Sequence, residues 1–369
     1  MQSTCKRCLL QHEIDEAQYT ASGCNFCDTY MSRLNQINQV NKSGFQKDIA
    51  YRVKQNKGPN QEYDCVIGVS GGTDSSYLVD WAHEHRLNAL LVHVDNGWNT
   101  ELSTRNIELL SKGTGFPLVT VVLNWSNFRD IQKAFVEAGL KELEFATDHA
   151  IKFGVYQTAK KHGIKSILSG RNLVTEGILP EAWSYGPLDR KFLLSVCSRH
   201  GVSIDKSFPS QSLFSYLFDR ITRRYQEYFP LNYVEQSSDE WKMKLEKKYG
   251  WKKYDQKHFE STWTKFYQGY WLPKRFGIDK RRAHLFVKLL RGEITRTNAI
   301  EQLNQPMLPT DYEHTELKYV AEKLNIPASE LISFSCKGDT PVSEFRNNKV
   351  FFDLLHTPTY IAVRRFLLS

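Results

Sequence analysis

The chain changes rhythm twice. Between residues 65 and 169, short uninterrupted apolar runs alternate with stretches whose apolar positions recur every three to four residues. The runs are Cys65-Val66-Ile67-Gly68-Val69, Ala89-Leu90-Leu91-Val92-His93-Val94, Leu118-Val119-Thr120-Val121-Val122-Leu123 and Ser166-Ile167-Leu168-Ser169. Each has the length of a strand, and a strand apolar at nearly every position is covered on both faces. Residues 75–86, 102–110, 128–138 and 148–162 read as helices, the crossovers that parallel strands require. The expected fold class is α/β, a doubly wound parallel sheet. Before it, residues 31–57 are polar with apolar positions at Leu34, Ile37, Val40, Phe45, Ile49 and Val53, spaced for one or two linking helices. Gly58-Pro59-Asn60 breaks that pattern. After about residue 186 the strands largely stop, and helices are expected near 213–228, 239–248, 280–291 and 315–324. The expected division is a cysteine-bearing knuckle at 1–32, linking helices at 33–60, the sheet domain at 61–235 and a helical basic region at 236–369.

Composition narrows the class. Hydrophobic residues make up 41% of the 369 and charged ones 24%, enough for a sizeable core under a charged surface. No stretch approaches the roughly 18 apolar residues of a membrane span, and Met1 to Cys8 hold no apolar leader. A cytoplasmic protein without a membrane partner is expected. The net charge of +8 is uneven: residues 241–300 carry 16 Lys or Arg against 5 Asp or Glu, a surplus of 11. Such a field suits nucleic acid, a nucleotide or a carboxylated sugar, and a solvated basic face of helices accounts for it equally well.

The densest chemistry lies where the first apolar run ends. Ser70-Gly71-Gly72-Thr73-Asp74-Ser75-Ser76 joins that strand to the following helix. Two glycines let backbone approach a phosphate, the helix start offers unpaired N–H groups, and Ser70, Thr73, Ser75 and Ser76 add hydroxyls. Asp74 is placed to hold Mg²⁺ against the phosphates. No lysine follows the glycines, so the loop differs from the Walker type and suits pyrophosphate as a leaving group. In this strand–turn–helix setting it resembles the PP-loop superfamily, which includes GMP synthetase, asparagine synthetase and the tRNA-thiolating enzymes. That resemblance implies cleavage of ATP to AMP and pyrophosphate while a substrate oxygen is adenylated. It also implies a 3-2-1-4-5 strand order, with Val94 and the turn Asp95-Asn96-Gly97 bordering the adenosine. Strands 1 and 4 would then flank the crevice, so Gly170, Arg171, Asn172 and Glu176 would face ATP or the acceptor. A simple turn at 95–97 and a polar loop at 170–176 are the plainer alternatives.

Seven cysteines include two CxxC pairs, Cys5/Cys8 and Cys24/Cys27, separated by 15 residues. This spacing reads as a tetrahedral Cys₄ zinc site with a structural role, since no coordination position stays open. About 30 residues bury too little apolar surface to fold unaided, so metal binding would supply the folding energy.

Further along, Lys257-His258-Phe259-Glu260-Ser261, Lys265-Phe266-Tyr267-Gln268-Gly269-Tyr270 and the run 272–285 resemble the N-acetyl sugar amidotransferase family. So do Thr147-Asp148-His149-Ala150, Ser169-Gly170-Arg171-Asn172 with Glu176-Gly177, Pro230-Leu231-Asn232-Tyr233 and the cysteine pairs. The likeness runs from about Cys5 to Asn304; Phe286-Val287 depart from it, where a small hydroxylic residue is expected. The resemblance implies a nucleotide-activated sugar substrate whose acetamido group becomes an acetamidino group for bacterial surface polysaccharides. It implies ATP, Mg²⁺ and structural Zn²⁺, and a separate glutaminase with a cyclase-like subunit as ammonia source. Cys65 and Cys197 lack glutaminase surroundings. Lys274, Arg275, Lys280, Arg281 and Arg282 are candidate clamps for phosphates or a sugar carboxylate. Asp148, His149, His258, Glu260 and His284 are candidates for proton handling. Thiolation of tRNA is the main rival, disfavoured because Cys197 and Cys336 form no pair suited to sulfur transfer; a nucleic-acid partner is therefore not expected.

Overall fold

In the computed structural model of the chain, the described residues are 4–173, 175–222, 224–254 and 259–355. Two short strands near the N-terminus, β1 (Tyr19–Thr20) and β2 (Gly23–Cys24), pair antiparallel. Five more form one parallel sheet: β3 (Cys65–Gly68), β4 (Ala89–Asp95), β5 (Leu118–Val122), β6 (Ser166–Leu168) and β7 (Gln226–Tyr228). Their order is β5-β4-β3-β6-β7. Counted along the chain this is 3-2-1-4-5, with the order reversing between β3 and β6.

Side chains alternate across each strand, and both faces are covered. Cys65, Ile67, Ala89 and Leu91 pack with Tyr77, Leu78 and Trp81 of the helix Thr73–Glu84 and with Trp241 and Leu245 of the helix Ser238–Tyr249. Val66, Leu90, Val92 and Ile167 meet Val155 and Ala159 of the helix Phe145–Lys161. That helix lies close because Gly154 faces Val94 and Gly68 faces Val155, each leaving only 3.0 Å for an added Cβ.

Strand β7 departs from the sequence reading of one helix over 213–228. The helix ends at Ile221, and Gln226–Tyr228 then extends along β6. As an edge strand it buries only Tyr228, so it carries no apolar run. The linking segment forms two helices, Asn25–Asn38 and Lys42–Gln55, the first of which starts within the cysteine-bearing segment.

Part of the basic surplus is matched internally. Lys244 and Lys248 reach the fully buried Asp80 at 2.8 and 2.5 Å, and Lys244 also reaches Glu84 at 2.8 Å. Burial opposes ionisation of Asp80, yet the two ammonium groups hold its carboxyl below the usual range. No helix among the described residues is long and apolar enough to cross a membrane.

Candidate active site

After β3 the chain passes Ser70 and Gly71 into the helix Thr73–Glu84, with Gly72 as its N-cap. Gly71 has φ +80°, and a Cβ there would lie 2.5 Å from the Ser103 carbonyl oxygen. The position thus demands glycine twice over, by conformation and by space. Its carbonyl accepts from Trp251 Nε1 at 3.1 Å and Tyr254 Oη at 3.0 Å. Because the peptide is trans and planar, that anchoring turns the Gly72 N–H the other way, where Ser70 Oγ accepts it at 3.3 Å. Ser70 and Ser75 hydroxyls stand 3.2 Å apart, and Ser75 Oγ also donates to the Gly72 carbonyl at 3.2 Å. The result is a small cradle of hydroxyls and N–H groups at the positive end of a helix, which suits a diphosphate. Thr73 is half-buried in the first turn, whereas Ser76 is fully buried, its hydroxyl inside the packed face. Gly71→Ala is expected to weaken ATP binding at least about tenfold, since αL alone costs about 1–2 kcal/mol before the clash. Equilibrium dialysis with ATP checks this, and unchanged affinity would remove the loop as the nucleotide site.

The end of β6 abuts this cradle. A Cβ on Gly170 would sit 3.4 Å from Ser75 N, and Thr175 Oγ1 donates to Asp74 Oδ2 at 2.9 Å. Thr175 is a participant that the sequence reading overlooked, although it stands beside Glu176. Asn172 is buried and shapes the turn: Oδ1 accepts from Thr175 N at 2.8 Å and Nδ2 donates to the Gly170 carbonyl at 2.9 Å. Arg171 is exposed, 3.5 Å from Glu227 and 5.6 Å above the Phe229 ring. Glu176 is exposed.

At the end of β4, Val94 is buried against Gly154, while Asp95 Oδ1 accepts from Gly97 N at 2.9 Å and Asn99 Nδ2 at 3.2 Å. His93, also overlooked, ties the two strand ends together. Its Nδ1 donates to the Val69 carbonyl at 3.0 Å, and Nε2 accepts from Asn99 Nδ2 at 3.1 Å.

The segment from Glu260 closes the cradle. Its carbonyl accepts from Thr100 N at 3.1 Å, Ser261 bridges Asn99, and its carboxylate lies 2.6 Å from where a Cβ on Gly72 would stand. Sequence motifs far apart therefore meet: the loop 70–76, Thr175 and Glu260.

The expected clamps are arranged otherwise. Arg281 binds Asp279 with two nitrogens, Nε at 3.1 Å and Nη2 at 2.7 Å, and donates to the carbonyls of Gln302, Leu303 and Gln305. Arg282 donates to the Leu9 carbonyl at 2.8 Å, Arg275 to the carbonyls of Phe334 and Gly338, and Lys274 pairs with Glu313 at 2.5 Å. The contacts of Arg281, Arg275 and Lys274 join the C-terminal helices to one another, and that of Arg282 ties them to the N-terminal segment. Lys280 lies 4.8 Å over the Tyr267 ring. His149 is a core residue, with no exposure, between Phe145 and Phe153. Burial pulls its imidazole down to about 3, so it stays neutral and is unsuited to the proton handling expected of it. His284 is half-buried, and His258 lies outside the described residues.

The four thiols of Cys5, Cys8, Cys24 and Cys27 are buried with all four sulfurs within 4.8 Å of one another, and together they could hold a metal ion. Neighbouring pairs stand 3.6–3.9 Å apart. A tetrahedral ion with metal–sulfur bonds of about 2.3 Å has edges of about 3.8 Å, so the donor set fits such an ion. The knuckle shares its apolar cluster with Trp183, Phe286 and Val287. Arg296 clasps it through the carbonyls of Cys5 and Lys6 at 3.0 and 2.8 Å.

Residues 260–358 match the family described as LPS biosynthesis protein WbpG-like, C-terminal domain. No curated protein matches the chain. Among solved structures it is similar to NMN synthetase from Francisella tularensis, with 12% identity, 60% of this chain and 100% of that one covered, and TM-score 0.29. It is also similar to NH3-dependent NAD synthetase from Campylobacter jejuni, with 13% identity, coverages of 59% and 99%, and TM-score 0.29. A third is the U34-tRNA thiolase NcsA from Methanococcus maripaludis, with 14% identity, coverages of 79% and 87%, and TM-score 0.33. The chain thus carries a five-stranded parallel α/β sheet of 3-2-1-4-5 order, and its residues 260–358 match the family described as the C-terminal domain of WbpG-like LPS biosynthesis proteins.

Proposed function

We propose that this protein is an AMP-forming amidotransferase of lipopolysaccharide biosynthesis, acting in the cytoplasm on a nucleotide-activated N-acetyl sugar. The first choice of substrate is a UDP-linked diacetamido-uronic acid, whose diphosphate and carboxylate suit the basic C-terminal region. The single observation that carries this reading is the lysine-free cradle at Ser70–Ser76 closed by the Glu260 carboxylate. A loop of hydroxyl and N–H donors holds the two phosphates that leave as pyrophosphate.

Asp74 in the first helical turn and Glu260 above Gly72 place two carboxylates at an anion site. Alone they would repel ATP; Asp74 and Glu260 are the residues that would hold Mg²⁺ there, and the ion would supply charge balance for the departing pyrophosphate. Thr175 orients the Asp74 carboxylate, and Trp251 with Tyr254 keeps the Gly71 peptide turned. Adenylation of the acetamide oxygen converts a poor leaving group into AMP, and ammonia then attacks the carbon to leave an amidine. Zinc in the four-thiolate knuckle would be structural. Ammonia would come from a separate glutaminase with its cyclase-like subunit.

Incubation with ATP, ammonium chloride and the UDP-diacetamido-uronic acid should release AMP and pyrophosphate, never ADP. With ¹⁸O in the acetamide carbonyl, the label should emerge in AMP. Label retained in the sugar, or AMP release that depends on tRNA instead, would overturn the reading.

A further inference from the structure

The helix Phe145–Lys161 leads into the parallel strand β6 and so runs against the strands. Its Gly154 stands against Val94, the residue before the end of β4. Lys152, nearer the helix start, therefore lies at the carboxyl edge of the sheet, where ligands of open α/β sheets bind. It is half-buried, with its ammonium 5.6 Å over the Tyr156 ring. Among the described residues that ammonium has no hydrogen-bond acceptor and no carboxylate within ion-pairing distance. Lys244 and Lys265 are half-buried too, yet each meets a carboxylate, at 2.8 and 2.5 Å.

The nearby acids do not fill this place. Glu144 accepts from the Thr264 hydroxyl. Asp148, one turn before Lys152, is reached by solvent although protein rings it closely. That desolvation, with Glu144 and Glu142, pushes its carboxyl well above the usual range and disfavours a negative charge there. Glu227 of β7 accepts from Tyr156 Oη and lies 3.5 Å from Arg171. Its register partner on β6 is Ile167, which packs with Val155 and Ala159, so Glu227 faces the same helix.

Arg171 completes the group. It follows Gly170, where a Cβ would lie 3.4 Å from Ser75 N of the phosphate cradle. Its side chain turns the other way. Strand β7 lies across β6 from β3, and the guanidinium meets β7 at Glu227 and stands 5.6 Å above the Phe229 ring. One chain of contacts thus runs from Lys152 through Tyr156 and Glu227 to Arg171 and Phe229, on the flank of the crevice away from the ATP loop. Two cations there share one carboxylate. Burial pulls the Lys152 ammonium below its usual range; Glu227 opposes this, and Arg171 adds to it. An anion brought to the pair would relieve that cost.

We propose that Lys152 and Arg171 form the subsite for an oxyanion of the acceptor, with Glu227 holding Arg171 until that oxyanion arrives. Naming the acceptor rests on the amidotransferase reading; the binding of an anion does not. The oxyanion is the sugar carboxylate or the nucleotide diphosphate, since both offer several oxygens to a guanidinium and an ammonium. A neutral group at the same position would not compete with Glu227 for Arg171.

Calorimetric titration of the full chain with UDP-linked diacetamido-uronic acid tests the subsite. Lys152→Met, which keeps the packing of the stem, and Arg171→Met should each weaken binding at least about fivefold. Lys152→Arg should restore most of the loss, and ATP affinity in Lys152→Met should stay within about twofold. Glu227→Gln, which still accepts the Tyr156 hydrogen bond, should tighten sugar binding at least about twofold, a gain that misfolding cannot imitate. Two further ligands separate the sources: UDP, and the analogue with a hydroxymethyl group in place of the carboxylate. Losses that vanish with the analogue assign the carboxylate, and losses that persist with UDP assign the diphosphate. Uronic acid affinity that ignores both Met variants, or that does not rise in Glu227→Gln, overturns the subsite. AMP release by the parent from ATP, ammonium and the same sugar would then leave the reaction standing. A parent that forms no AMP, yet binds the sugar as described, would overturn the reaction and leave the subsite in place.

Discussion

Asp74→Ala should lower AMP formation about 1000-fold while leaving the fold and the cysteine-bound metal in place. The carboxylate sits in the first turn of the helix that ends the phosphate cradle, where it accepts a hydrogen bond from Thr175 at 2.9 Å. Its loss to stability is one hydrogen bond, about 1 kcal/mol. Its loss to catalysis is larger, because the carboxylate that would hold Mg²⁺ against the departing pyrophosphate would be gone; several kcal/mol of such stabilisation corresponds to about three orders of magnitude. Steady-state AMP release, circular dichroism and metal analysis on the same preparation separate the two effects. Turnover within about tenfold of the parent would remove Asp74 from the site.

The second large effect concerns the cysteine knuckle. Stripping its metal with a strong chelator, or changing Cys24 to serine, should lower the melting temperature by on the order of 10 °C and abolish stoichiometric zinc. Four buried thiols crowd one another: the sulfurs of Cys24 and Cys27, and after them burial, push the Cys8 thiol far above its ordinary value. Without a cation such a cluster cannot hold its thiolates together. Apparent binding energies of structural zinc, about 10–16 kcal/mol in isolated peptides, rival the whole stability of a domain. The effect should spread beyond the knuckle, because Arg282 and Arg296 grip it from the C-terminal helices. Differential scanning calorimetry and elemental analysis decide the matter. A Cys24→Ser protein with unchanged zinc and unchanged melting would exclude the metal site.

Sequence pattern revealed the elements whose surroundings are uniform. Strands β3 to β6 are covered on both faces, so each shows as an apolar run; β7 lies at the sheet edge with one residue inward and shows nothing. The phosphate loop is local in sequence, and its glycines, hydroxyls and aspartate are adjacent, so it could be read directly. The basic run 274–282 could not be read the same way. A guanidinium that meets a carbonyl and one that meets a phosphate look identical in a string of letters, and Arg275, Arg281 and Arg282 meet carbonyls. His149 misled for a related reason: a histidine beside an aspartate suggests proton transfer, but the helix turns it into an aromatic core. Glu144 and Thr264 lie 120 residues apart, and no periodicity links them.

The joint at Asn99, Thr100, Glu260 and Ser261 has a further consequence. One residue, Glu260, is fastened by its backbone to Thr100 beyond the end of β4, and its carboxylate stands against Gly72 of the loop after β3. An excised sheet domain ending before Glu260 would keep its five strands but lose its roof. Bound ATP would then lie open to bulk water, and the fragment should behave as a sluggish, wasteful hydrolase rather than as a synthetic enzyme.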